Sequence, residues 1–213
     1  MPASEAYRAQ VSLLVRVLPL VAEENVFALK GGTAINLFVR DLPRLSVDID
    51  LTYLPVEDRA TSLANIDAAI RRIAARIAEN VPRSRTQAVP LHSEGAATKV
   101  LVTSDGVQIK IEVTPVIRGC VYSPEARAVC DRVEELFGYA EVPVVSFPDL
   151  YAGKIVAALD RQHPRDLFDV RDLLANEGIS DELRRAFIVY ILSHNRPMGE
   201  VLAPTRKELA PRV

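Results

Sequence analysis

The chain has 213 residues, 49% of them hydrophobic and 25% charged, which is enough to bury a core without disulfide or metal staples. With a formal net charge of -2 and a pI near 6.0, the chain lacks the overall basic charge of a dedicated nucleic-acid-binding protein. A local basic patch would nevertheless suffice to bind a nucleic acid. The sequence has no run of about 18 apolar residues, no signal-peptide pattern and no His/Cys cluster around Cys120 or Cys130, so we expect a soluble cytoplasmic protein with free thiols.

The N-terminal part of the chain alternates predicted helices and strands. Apolar side chains recur at helical spacing over residues 5–24, and residues 27–29 are typical of a short buried strand that runs into a Gly-Gly turn. A brief helix is predicted over residues 33–38. A long helix rich in Ala, Arg and Ile is predicted over residues 57–80.

Between the last two helices, residues 47–53 alternate strictly between apolar and polar side chains. The pattern predicts a half-buried strand whose free face carries Asp48, Asp50 and Thr52.

The middle of the chain predicts a hairpin. Residues 99–103 and 107–113 alternate in the same way and are joined by an Asp-Gly turn signal. A loop-rich stretch is predicted over residues 115–139, followed by a short strand over residues 142–145.

The chain is predicted to be helical after Ser146, which is a suitable N-cap. Three helices follow, over residues 148–161, 165–176 and 181–193. We therefore predict an α+β fold in which residues 1–145 form an α/β core and residues 146–213 form a helical C-terminal subdomain.

The pair Asp48 and Asp50 is the first candidate for chemistry. Side chains two apart on a strand project from one face with backbones roughly 6–7 Å apart, and like-charged carboxylates so placed repel unless they are solvated, protonated or bridged by a cation. Oxygen ligands suit Mg²⁺ or Mn²⁺, which can hold and polarise the phosphates of a nucleotide. A solvated polar strand face is the alternative interpretation.

The Gly-Gly turn strengthens the first interpretation. Gly31 and Gly32 offer backbone N–H groups that can approach a phosphate closely, and Thr33 adds a hydroxyl at the start of the predicted helix. Without other motifs, G-G-T is a turn as often as a binding site.

Two blocks of sequence frame most of the chain. The first combines L-K-G-G-T-A at residues 29–34 with R-L-S-V-D-I-D-L at residues 44–51. The second combines D-L-Y-A-G-K-I-V-A-A-L at residues 149–159 with R-D-L-F-D-V at residues 165–170. Together they resemble the signature of the AbiEii/AbiGii-type nucleotidyltransferase toxins of bacterial toxin-antitoxin systems.

The resemblance implies a DNA-polymerase-β-like nucleotidyltransferase core with a mixed sheet, whose active site is completed by the helical C-terminal subdomain. It further implies that Gly31, Gly32 and Thr33 bind a nucleoside triphosphate. Asp48 and Asp50 would hold Mg²⁺ or Mn²⁺.

Two more polar residues lie on or beside this strand face. Ser46 points the same way as both aspartates, so it either lies near the phosphates or hydrogen-bonds local backbone. Similar enzymes use a third carboxylate on a neighbouring strand, and Glu112 occupies that place in the order of elements. It is either a metal ligand or base, or an ordinary exposed glutamate of a hairpin.

In the second block, Lys154 is implied to be a triphosphate clamp, and Arg161 shares its helical face and extends the positive charge. A solvated helix lysine is the alternative. Asp166 and Asp169 are implied either to orient these cations or to act as a general base. The alternatives are a capping aspartate and a surface ion pair, and the sequence does not decide which aspartate is catalytic.

The resemblance predicts a toxin that transfers a nucleoside monophosphate from an NTP to an acceptor and releases pyrophosphate. The relatives suggest the 3′ end of tRNA as the acceptor and a cognate antitoxin as a partner. Two alternatives stay open: transfer to a small molecule or protein side chain, and a non-catalytic nucleotide-binding module that interacts with an antitoxin.

Overall fold

The computed structural model of the chain describes residues 5–91 and 95–207. The chain divides into two compact units. As far as they are described, the first consists of Met1–Cys120 with Pro124–Val145, and the second of Val121–Ser123 with Ser146–Val213.

The first unit is built on one β-sheet that is seven-stranded within the described residues. Its strands are β1 (Phe27–Lys30), β2 (Asp48–Tyr53), β3 (Arg85–Pro90), β4 (Ala97–Ser104), β5 (Val107–Arg118), β6 (Glu125–Ala128) and β7 (Glu141–Val144). Its helices are α1 (Glu5–Ala22), α2 (Gly31–Ala34), α3 (Arg59–Asn80) and α4 (Asp131–Phe137). A π-helical turn, Ile35–Val39, continues α2.

The sheet is mixed, with strand order β3-β4-β5-β2-β1-β7-β6. The central strand β2 pairs parallel with β5 and antiparallel with β1, and β1 pairs parallel with β7. The predicted α+β class with a mixed sheet is confirmed. Both aspartates therefore lie on a strand that has neighbours on both sides, which leaves their side chains one open direction, away from the sheet.

One face of the sheet is covered by helices. Helix α1 packs on β5 and β7, and α3 packs on β3 and β4. Because successive strand residues point to opposite faces, burial of Ile109, Ile111 and Val113 puts Lys110 and Glu112 on the other face.

The second unit contains four described helices. They are α5 (Phe147–Arg161), α6 (Pro164–Asn176), α7 (Asp181–Leu192) and α8 (Met198–Leu202). Helix α5 contacts each of the other three. The predicted N-cap is confirmed, since Ser146 Oγ accepts a hydrogen bond from the Asp149 backbone N–H at 3.2 Å. This cap ends the strand-rich part of the chain and begins the helical part.

Several local predictions were wrong. The stretch over residues 115–139 is not loop-rich, because β5 continues to Arg118 and both β6 and α4 fall within it. Strand β3 and helix α8 were not predicted. Each of these elements is short or only weakly alternating, so its structure depends on pairing or packing with distant parts of the chain.

Cys120 and Cys130 are free thiols, as predicted. Within the described residues, no helix is both long and apolar enough to cross a lipid bilayer.

A buried carboxylate links α1 to α3. Glu24, two residues beyond the end of α1, is 6% exposed and accepts hydrogen bonds from Arg72 Nη2 at 2.7 Å and from Arg76 Nη2 at 3.1 Å. The hydrogen bond from Arg72 lowers the pKa of Glu24 below its ordinary value, against the opposing effect of burial. The carboxylate is thus stabilised in its charged form.

We expect Glu24→Gln to lower the free energy of unfolding by about 1–2 kcal/mol at pH 7, allowing for the partial exposure of Arg72. Because the pKa is lower in the folded state, this stabilisation is present above the unfolded value of about 4.3 and is lost as pH falls through the folded value. Urea denaturation at pH 7, 5 and 3 measures the difference.

The matched control is Glu23→Gln, because Glu23 is more exposed and pairs with the same Arg76. It should change stability by less than about 0.5 kcal/mol. A Glu24→Gln deficit that stays constant from pH 7 to pH 3 would contradict the assigned role of the charged carboxylate.

Candidate active site

The end of β1 and the start of β2 meet at a glycine. Lys30 pairs directly with Asp50 across the two strands, and Gly31 follows with a φ of 77°. A Cβ placed on Gly31 would lie 2.6 Å from Asp50 Oδ2. Glycine is therefore required twice here, once for its left-handed backbone and once for the close approach of the carboxylate.

The next residues bring polar side chains together around Gly32. A Cβ on Gly32 would lie 2.6 Å from Arg44 Nη2 and 2.9 Å from Ser46 Oγ. Thr33 is fully buried, and its Oγ1 is hydrogen-bonded to Ser46 Oγ at 3.0 Å. Sequence-predicted Gly32, Thr33 and Ser46 are thus brought together.

Arg44 was not assigned a role from the sequence, although it stands in the first sequence block. Positions 44, 46, 48 and 50 alternate with the apolar positions between them, so strand spacing was the available signal. The guanidinium beside Gly32 adds a positive charge that suits a phosphate.

The two aspartates differ in environment. Asp48 is exposed, whereas Asp50 is half-buried. Burial raises the pKa of Asp50, the charge of Lys30 opposes that rise, and the charge of Asp48 adds to it. Burial also lowers the pKa of Lys30, which the Asp50 carboxylate partly offsets. A cation bound between the two aspartates would relieve this concentration of negative charge.

Glu112 lies beside Asp50 in the parallel pairing of β2 and β5. Its Oε2 is 2.7 Å from Lys110 Nζ, and its Oε1 is 3.3 Å from Lys99 Nζ. Although burial would raise the pKa of Glu112, the hydrogen bond from Lys110 holds it below its ordinary value. We call the side of β2 and β5 that carries Asp48, Asp50 and Glu112 the carboxylate face.

Oxygen donors from two adjacent aspartates fit Mg²⁺ or Mn²⁺. Over residues 5–91 and 95–207, no group of three or more His, Cys, Asp or Glu side chains is assembled as a metal site. Asp48 and Asp50 can therefore supply part of a coordination shell, the remainder of which would come from phosphate and water. That Glu112 is a third ligand stays a prediction.

The second unit holds an ion cluster made of Lys154, Arg161, Asp166 and Asp169. Lys154 Nζ lies 2.9 Å from Asp166 Oδ1 and 3.1 Å from Asp169 Oδ2. Arg161 Nη2 donates to Asp166 Oδ1 at 3.1 Å, and its Nε also bonds Asp166. Burial would raise the pKa of Asp166, but the hydrogen bond from Arg161 and the charge of Lys154 hold it below its ordinary value.

The burial of this cluster bears on the alternatives left open by the sequence. Lys154 is 6% exposed, and Asp166 and Asp169 are 1% and 2% exposed, so neither a solvated lysine nor a surface ion pair describes them. The N-cap of α6 is His163, whose Nδ1 accepts from the backbone N–H of Arg165, rather than Asp166. Ions this buried are retained only when they are paired.

Comparisons with known proteins identify the family and the fold of the chain. A family model described as "Nucleotidyl transferase AbiEii toxin, Type IV TA system" matches residues 12–212. Eight chains of solved structures match the fold. One is MenT4, a nucleotidyltransferase toxin from Mycobacterium tuberculosis, with a TM-score of 0.70 and 18% sequence identity over 97% of this chain and 75% of that one. No curated protein matches the chain.

Gly31→Ala should displace the Asp50 carboxylate, because the added methyl group would occupy its place. Gly106→Ala is the matched control, since Gly106 has a similar φ of 80° and nothing within 4 Å of an added Cβ. Both variants should lose about 1–2 kcal/mol of stability from backbone strain.

Only Gly31→Ala should also lower nucleotide transfer, by about 10²-fold, as expected for a misplaced catalytic group. Thermal unfolding and a labelled-NTP assay measure the two effects. Equal activity in the two variants would show that the position of Asp50 does not matter.

Proposed function

Because the chain belongs to the AbiEii family of nucleotidyltransferase toxins of type IV toxin-antitoxin systems, we propose that it transfers a nucleoside monophosphate from an NTP to the 3′ end of tRNA. The reaction would depend on Mg²⁺ or Mn²⁺ and would release pyrophosphate.

The observation that carries this proposal is the close approach of Asp50, on the central strand β2, to Gly31 at the end of β1. Asp48 lies two residues before Asp50 on the same strand. The two carboxylates would hold the divalent ion. When bound, the ion would polarise the α-phosphate and offset the negative charge of the triphosphate.

The polar groups around Gly32 would bind phosphate oxygens. The backbone at Gly31 and Gly32 allows close approach. Thr33 and Ser46 hydrogen-bond each other, so one of the two hydroxyls would donate to a phosphate oxygen, together with the guanidinium of Arg44. Donors fixed by the fold need little rearrangement when charge develops during the reaction.

We propose Lys154 and Arg161 as nucleotide-binding residues, as the family resemblance implies. An ammonium group has three N–H donors, and Asp166 and Asp169 account for two of those on Lys154. The third would be directed to a phosphate oxygen. The bidentate Arg161 contact with Asp166 fixes its guanidinium in a similar way.

Asp166 and Asp169 would therefore act first as positioning residues for Lys154. Asp166 is bonded to both Lys154 and Arg161, and a carboxylate held by two cations is a weak base, so Asp166 would position these cations rather than accept a proton. This assignment is part of the proposal.

The acceptor is the most specific part of the proposal and rests on the family alone. The overall charge of -2 does not favour RNA binding, so any tRNA contact would depend on local basic groups. Membership of a toxin-antitoxin family implies a cognate antitoxin, and NTP and tRNA substrates would place the reaction in the cytoplasm.

The direct test incubates the purified chain with Mg²⁺, each α-labelled NTP in turn, and total tRNA. We expect label to be transferred to the 3′ end of tRNA from at least one nucleotide. Asp48→Asn should reduce that rate by about 10²-fold or more, because it removes a charged metal ligand.

Asp105→Asn is the matched control, because Asp105 lies in the β4–β5 turn, where asparagine tolerates the positive φ. It should retain full activity. Label on a small molecule or a protein instead of tRNA would contradict tRNA as the acceptor and support the alternative acceptor. Absence of label on any acceptor would contradict nucleotide transfer and support a non-catalytic nucleotide-binding module.

A further inference from the structure

Charged side chains form a row across four strands of the sheet. In register, Lys30 of β1 lies beside Asp50 of β2, Asp50 beside Glu112 of β5, and Glu112 beside Lys99 of β4. Residues paired across neighbouring strands point to the same side. The row therefore places two carboxylates between two lysines on the carboxylate face.

Lys110 lies next to this row on β5 and contacts carboxylates of both β2 and β5. It pairs in register with Asp48, and its Nζ is 3.7 Å from Asp48 Oδ2 and 2.7 Å from Glu112 Oε2. The ammonium thus lies between a β2 carboxylate and a β5 carboxylate, a position that a second divalent ion would need in order to bridge them.

The same contacts use both oxygens of Glu112. One faces Lys110 and the other faces Lys99. A divalent ion at Glu112 would have to displace an ammonium or lie against it, and like charges at such distances repel strongly in a partly buried setting. By contrast, Asp48 contacts Lys110 through one oxygen only, at 3.7 Å, which leaves its other oxygen for a cation.

The choice of residue type supports a specific use. The sequence has 26 basic residues, of which only five are lysines, yet three of those five, Lys30, Lys99 and Lys110, lie on this face. An ammonium is a compact point charge, closer to a metal ion in shape than the planar guanidinium of arginine.

We propose that Lys110 is a tethered cation that limits the carboxylate face to one divalent ion, bound by Asp48 and Asp50. Glu112 then positions Lys110 and does not bind the metal. This inference rests on the proposed function, because it presupposes that Asp48 and Asp50 bind a divalent ion.

Mn²⁺ binding without nucleotide tests the inference independently of catalysis. Equilibrium dialysis with electron paramagnetic resonance detection of free Mn²⁺ gives the number of ions bound per chain. We expect one for the wild type and two for Lys110→Met, in which an apolar side chain of similar length vacates the space between Asp48 and Glu112.

Two controls separate this effect from a general loss of positive charge. Lys99→Met removes a lysine that contacts Glu112 at 3.3 Å but is not paired with Asp48 in the described structure, so it should still bind one ion. Glu112→Gln should also bind one ion, with its dissociation constant within about threefold of the wild type. Circular dichroism confirms that each variant is folded.

The outcomes are distinguishable. Two ions in the wild type, one ion in folded Lys110→Met, or a tenfold weaker site in Glu112→Gln would overturn the role of Lys110. Glu112→Gln keeps the test decisive if Lys110→Met does not fold. Absence of Mn²⁺ binding to the wild type would instead refute the proposed metal site at Asp48 and Asp50, and the inference with it.

Discussion

Repulsion between carboxylates on the central strand is the constraint on which the rest of the first unit depends. Asp48 and Asp50 share one face of β2, and the parallel pairing with β5 brings Glu112 beside Asp50. Lys30 and Lys110 lie among them as compensating charges. The sheet therefore brings carboxylates and lysine ammonium groups together on one face, and we propose that a divalent cation binds there at the two aspartates.

The ion cluster of the second unit also pairs carboxylates with a lysine, but its members Lys154, Asp166 and Asp169 are more deeply buried. Lys154 is almost fully buried, and two buried aspartates hold it in place. Replacing such a cluster by apolar side chains often costs no stability, so a gain in stability alone does not explain its presence. In the proposed function, the Lys154 ammonium would bind the negatively charged triphosphate.

The sequence predicted those parts of the structure that depend on local pattern. Strict alternation located β2, the Asp-Gly turn located the β4–β5 hairpin, and Ser146 marked the start of the helical unit. It did not predict β3, β6 or α4, which depend on distant partners. For the same reason it gave Arg44 and Lys110 no role, since their contacts come from the fold around Gly32 and from the pairing of β2 with β5.

The central claim is that Asp48 and Asp50 together form a divalent-metal site, and anomalous X-ray scattering from crystals soaked in Mn²⁺ tests it most directly. We expect a peak within about 2.0–2.4 Å of an oxygen of each aspartate, which spans the range from Mg²⁺ to Ca²⁺ ligand distances. A Mn²⁺ peak that contacts neither carboxylate, or the lack of any peak beside them, would contradict it.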